Sequence, residues 1–127
     1  MTGSQRLAWL ALAGALGALA RFGLGGVVQR ALGSPFPWGT LVVNTLGCLV
    51  FGVVWALAEE RLLISGETRT IVLVGFVGAF TTFSTYAFET EAMLRDAEWT
   101  LAVANVLAQN VVGIACIFVG AALGRLL

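Results

Sequence analysis

The sequence predicts an all-α membrane protein, a single domain of residues 1–127 with four transmembrane helices. Three observations carry this. First, 59% of the 127 residues are hydrophobic and only 11% charged, against roughly 45–50% and about 25% in soluble domains. A soluble core of this size could not hide so much apolar surface, so lipid must be the second hydrophobic phase. Second, four apolar stretches are each long enough to cross a hydrocarbon layer of about 30 Å as a helix. Third, nearly all carboxylates fall in the short connections between them. Four crossings put both termini on one side of the membrane.

The first stretch, about 7–32, is interrupted by Arg21. Arg6, the apolar run and Ala18-Leu19-Ala20 imitate a signal peptide, but apolar character resumes after Arg21, and the Gly/Ala repeats suit a packed helix equally well. The segment is therefore expected to stay. Gly33 to Trp38, with two prolines, forms the first connection. The second stretch, 39–58, carries no charge. Residues 59–70 lead to the third, 71–88, whose middle is polar, and residues 89–100 lead to the fourth, 101–123. Trp38 and Trp99 fall at span ends, where an indole prefers the headgroup level.

Arg6, Arg61, Arg69 and Arg125 lie on the side of the termini, and Arg30 and Arg95 on the other, joined by Arg21 if it snorkels that way. So weak a bias permits insertion either way up. Membrane paths often form between inverted repeats, and none is evident within this chain. Two copies of opposite orientation would supply the inversion as an antiparallel homodimer.

Charge and composition also exclude functions. The seven cations, all Arg, are scattered and balanced by seven acids, so no basic stripe exists to hold nucleic acid. With no histidine, every His-based triad and the commonest metal ligand are missing, which leaves little room for an enzyme. Cys48 and Cys116 sit alone in apolar stretches and read as packing residues.

The polar residues inside the spans are more telling. Gly75 to Tyr86 holds five hydroxyl-bearing residues directly after two glycines three apart. Such a run is a poor recipe for a lipid-facing helix, and non-helical backbone survives at membrane depth only when buried in protein or lining a wet cavity. A helix break near Gly78 to Thr82 is expected; the alternative is a continuous helix whose hydroxyls bond back to the preceding turn. Carbonyls freed at a break would suit a small hard cation. Phe80, Phe83 and Tyr86, spaced by three, are expected to share a helical face. Their ring edges could hold a dehydrated anion, or they could simply pack. Asn44, with Thr40 one turn earlier, offers amide donors to an anion or to a neighbouring helix. Asn105 and Gln109, one turn apart with Asn110 beside them, form a polar face or helix-to-helix glue. Arg21 either snorkels or draws anions to a pore mouth.

These residues resemble the Fluc (CrcB) fluoride channels of bacteria. The likeness runs through Gly14 to Phe22, Gly39 to Asn44 and, most specifically, Gly78 to Tyr86. It implies a dual-topology antiparallel homodimer in the inner membrane, with two fluoride pathways along the dimer interface. It also implies a structural sodium ion held by the main-chain oxygens of Gly78 and Thr81. By the same resemblance Asn44 is the pore asparagine, Phe83 and Tyr86 occupy the aromatic box, Thr40, Ser84 and Thr85 form a hydroxyl track, and Arg21 stands in the vestibule. Three positions depart from the family pattern. Tyr86 adds a hydroxyl to the usual ring, Asn105 stands where tyrosine is frequent, and Gln109 where serine is frequent.

The expected activity is passive export of cytoplasmic fluoride, relieving its toxicity. One rival is a small four-helix multidrug-type transporter, which needs an ionisable carboxylate within a span; here the acids are expected in loops or at span ends, Glu89 the nearest. The other is a non-transporting assembly protein, which explains the small residues but not the polar middle of the third span.

Overall fold

The computed structural model describes residues 1–127 and is entirely helical. Four helices are long and apolar enough to cross a membrane: α1 (Gly3–Leu32), α2 (Trp38–Glu60), α3 (Gly66–Arg95) and α4 (Trp99–Leu126). Each outruns its apolar stretch, because capping and polar end turns carry the helix beyond the hydrocarbon. Thr2 begins α1 with a reciprocal capping box: its hydroxyl accepts the Gln5 N–H, and the Gln5 side chain accepts the Thr2 N–H. Ser65 caps α3 by accepting the Thr68 N–H.

The third connection therefore contracts from the expected 89–100 to residues 96–98, closed by Ala97 at a positive φ of 58°. In the first connection Gly33, at φ 78°, returns its N–H to the Gln29 carbonyl. The Gln29 side chain then pins this turn, donating to the carbonyls of Gly33 and Phe36 and accepting the Gly39 N–H.

The bundle is assembled through close backbone approaches. α1 packs on α2 and on the first half of α3, while α2 packs most extensively on α4. A Cβ on Gly17 would collide with the Phe76 carbonyl of α3, and one on Gly39 with the Gly25 carbonyl of α1. Across α2 and α4, Gly52 faces the Ile117 carbonyl and Gly120 the Leu49 carbonyl. Gly124, one turn after Gly120, likewise faces the Val53 carbonyl, so these small residues serve packing inside the chain, where dispersion between close backbones replaces the hydrophobic drive that lipid removes.

The outside is apolar. Leu7, Leu19, Phe22, Val74 and Phe118 are exposed, whereas Thr82, Asn105 and Gln109 are buried. Charges lie at both ends of the bundle: at the end that holds the termini Arg6 pairs with Glu67, Arg69 with Glu59 and Arg125 with Glu60, and at the other end Arg95 pairs with Glu91. Arg69 also lies over the Trp55 ring, 5.3 Å from its centroid. Three wide π-helical turns occur, at Ala56–Glu60, Ile71–Val77 and Ala108–Val112. Such turns often mark functional segments; the second leads directly into the Gly78 region, and the third carries Gln109 and Asn110.

Candidate functional site

Helical backbone in α3 stops at Phe80 and resumes at Phe83. Between them Thr81 (φ −82°, ψ 158°) and Thr82 (φ −148°, ψ 110°) are extended. The departure is stabilised from two directions. Thr82 caps the second half, Phe83–Arg95, its hydroxyl oxygen accepting the Thr85 N–H at 3.2 Å. Asn44 on α2 takes the whole Thr82 peptide unit: its Nδ2 donates to the Thr82 carbonyl at 3.0 Å, and its Oδ1 accepts the Thr82 N–H at 2.7 Å. A side-chain amide has here replaced the missing helical partners, as a buried backbone group in lipid requires.

Two carbonyls lose their regular helical donors as a result. The Thr82 N–H, which would serve the Gly78 carbonyl in a continuous helix, goes to Asn44. The Thr85 N–H, which would serve the Thr81 carbonyl, goes to the Thr82 hydroxyl. Gly78 itself is exposed on the flank of the chain. Thr82→Ala removes the cap and is expected to cost about 1 kcal/mol, read as a lowered unfolding temperature in detergent.

Cavities open on both sides of the Asn44–Thr82 clamp. One, of about 610 Å³, is walled by Arg21, Gln29, Thr40, Thr82, Thr85 and Glu89 among others. Here Thr40 donates to Glu89 Oε1 at 2.7 Å. The other, of about 280 Å³, is walled by Asn44, Thr81, Phe83, Tyr86, Gln109 and Asn110 among others. In it Phe83 and Tyr86 meet edge to face, with ring centroids 5.5 Å apart and planes at 73°. Asn44 Nδ2 also donates to Gln109 Oε1 at 3.0 Å. Asn110 donates to the Tyr86 hydroxyl oxygen at 3.4 Å, leaving the Tyr86 O–H free to donate.

Residues 8–121 match the family model described as CrcB-like protein, Camphor Resistance (CrcB). The chain belongs to the CrcB family. It is 58% identical over 123 residues to a protein of Nitrosococcus oceani named "Fluoride-specific ion channel FluC", covering 97% of this chain and 98% of the relative. Proteins of the same name from Solidesulfovibrio magneticus and Desulforapulum autotrophicum are 50% and 51% identical, again over 97% of this chain and 98% of each relative.

The structure of this CrcB-family chain brings most of the sequence-identified residues to the two cavities. Arg21, Thr40 and Thr85 line the larger, and Asn44, Thr81, Phe83, Tyr86 and Gln109 the smaller. Ser84 lines neither and lies 3.5 Å from the Thr82 hydroxyl. Asn105 also lines neither: it is fully buried and donates to Thr90, which itself donates to the Tyr86 carbonyl.

Two expectations are corrected. Phe80 does not share a face with Phe83 and Tyr86, because the extended residues fall between them; it is buried and stacked on Phe76. The third connection is shorter than expected: α3 continues to Arg95, so Glu89, expected at the span end, is helical and lies beside the larger cavity. Membership of the CrcB family argues against a multidrug-type transporter. The sequence marked Thr82 only as one end of the expected break and Glu89 only as the acid nearest a span, and gave neither a place at the cavities. The capping pattern Thr82-x-x-Thr85 and the one-turn spacing of Thr85 and Glu89 were the available signals.

Proposed function

We propose that the chain is a fluoride-selective passive ion channel, through which cytoplasmic fluoride leaves a bacterial cell across the inner membrane and its toxicity is relieved. The observation that carries this is the near-full-length identity to proteins named as fluoride-specific ion channels. The geometry supports it. Between the two cavities the available donors are neutral hydroxyls, amides and ring edges. A small, strongly hydrated anion can exchange its water for several such weak donors and still leave, whereas a deep positive charge would trap it. Arg21, at the wide cavity, raises the local anion concentration without standing in the narrow part.

The working unit is an antiparallel, dual-topology homodimer. Phe83 is 76% exposed in the single chain, although it belongs to the smaller cavity. One chain thus leaves this cavity open along its flank, and a second, inverted copy would close it. Gly78 and Thr81 would hold a sodium ion through their carbonyls, which have lost their regular helical donors and are hard, neutral oxygen ligands of the kind an alkali ion takes. When bound, the ion would supply positive charge that offsets the dipoles of the carbonyls holding it. Asn44, Phe83, Tyr86 and Gln109 then border the narrow part of the path, and Thr40, Thr85 and Arg21 its approach.

The test is ion release from liposomes containing the purified protein. Fast fluoride release without chloride release is expected, with a marked loss of fluoride release in Phe83→Ile. Folded dimers that release no fluoride would refute the reading.

A further inference from the structure

Asn44 cannot be the residue that offers free amide donors to the anion in this arrangement. Its Nδ2 carries two hydrogens, and both are engaged, one by the Thr82 carbonyl and one by Gln109 Oε1, each at 3.0 Å. Its Oδ1 is engaged too, by the Thr82 N–H. Gln109 presents the opposite situation. It is 9% exposed and lines the smaller cavity with Phe83 and Tyr86, and its Nε2 is buried without any partner. The bond from Asn44 fixes which end of this amide is which: with Oε1 held by Asn44, the NH2 group is turned away from it. A buried amide with two unanswered N–H groups is costly, and such a group calls for a ligand.

Resting on the channel reading above, we propose that Gln109 Nε2 is the amide that receives the dehydrated fluoride in the narrow part of the path, and that Asn44 is a positioning residue, holding both the Thr82 peptide and the orientation of the Gln109 amide. The wide π-helical turn Ala108–Val112 bears Gln109 and so sets where its side chain leaves α4. The two N–H bonds of the amide diverge, so one of them can donate to a small anion as a neutral group. Tyr86, whose O–H is free, borders the same cavity and adds a second donor.

Two measurements test this. In liposomes, Gln109→Met, similar in length but without donors, is expected to lower fluoride release about tenfold or more relative to wild type. If wild type itself releases no fluoride, the channel reading fails; if wild type conducts and Gln109→Met conducts within about twofold of it, only the Gln109 assignment is lost. The second measurement needs no variant to fold: NMR of protein carrying 15N in its Gln and Asn side chains, titrated with sodium fluoride or sodium chloride. The Gln109 NH2 resonance is expected to move with fluoride and not with chloride, and the Asn44 resonance to stay. A Gln109 resonance indifferent to fluoride overturns the assignment. In Asn44→Ser the Gln109 response to fluoride is expected to weaken and its resonance to broaden between two amide orientations, whereas an unchanged response overturns the positioning role.

Discussion

Asn44→Ala is expected to reduce fluoride release by about a hundredfold or more and to lower the unfolding temperature in detergent. The side chain makes three hydrogen bonds, two to the Thr82 peptide unit and one to Gln109. Truncation leaves the Thr82 N–H and carbonyl without partners at membrane depth, and each orphaned group costs roughly 1–3 kcal/mol. With nothing to hold Thr82 extended, its N–H can return to the Gly78 carbonyl and the helix can close across the interruption. That change would remove both the freed carbonyls and the geometry of the smaller cavity. Asn44→Asp separates the two effects. It keeps the acceptor for the Thr82 N–H but loses both donors and sets a negative charge against the Thr82 carbonyl and Gln109 Oε1. Its fold is expected to survive better than that of the alanine variant, with flux still lost. Wild-type flux in Asn44→Ala would mean that the clamp has no part in conduction.

Gly120→Val is expected to be among the most destabilising single changes in the chain. A Cβ at position 120 would run into the Leu49 carbonyl and come within 3.1 Å of the Val53 amide nitrogen, both of them backbone atoms of α2. Backbone cannot turn aside as a flexible side chain can, so α2 and α4 must separate along their most extensive contact. Overpacking of this kind costs roughly 1–3 kcal/mol and more where the neighbour cannot yield. The separation would also shift Asn44 on α2 from Gln109 on α4. Thermal unfolding in detergent measures the loss, and Gly23→Ala serves as the comparison. Position 23 has open space around its missing Cβ, and alanine is the better helix former, so that variant should match or exceed wild-type stability. Equal stability of the two variants would show that the α2–α4 approach does not govern the fold.

Much of the molecule was legible because lipid imposes a simple rule on sequence. A backbone that must satisfy its own hydrogen bonds in hydrocarbon has to be helical, and apolar stretches of the required length announce it. The ends were less legible: Thr2, Ser65 and the polar turns that reach Arg95 extend helices where hydropathy has already faded. The hydroxyl run at Thr81 to Thr85 marked the segment of interest. It could not say that Phe80 and Phe83 part company, because a periodicity argument assumes the very helix that the run interrupts.

Composition by itself determined that this protein lives in a membrane, that with no histidine its chemistry is not His-based, and which few polar side chains are stranded in the spans. Only tertiary structure decided what those side chains do. Asn44, Thr82 and Gln109 are 38 and 65 positions apart as counted from Asn44, and whether an amide hydrogen is free or engaged depends on what lies within about 3 Å of it. That is a property of how α2, α3 and α4 pack, which the pattern along any one of them cannot carry.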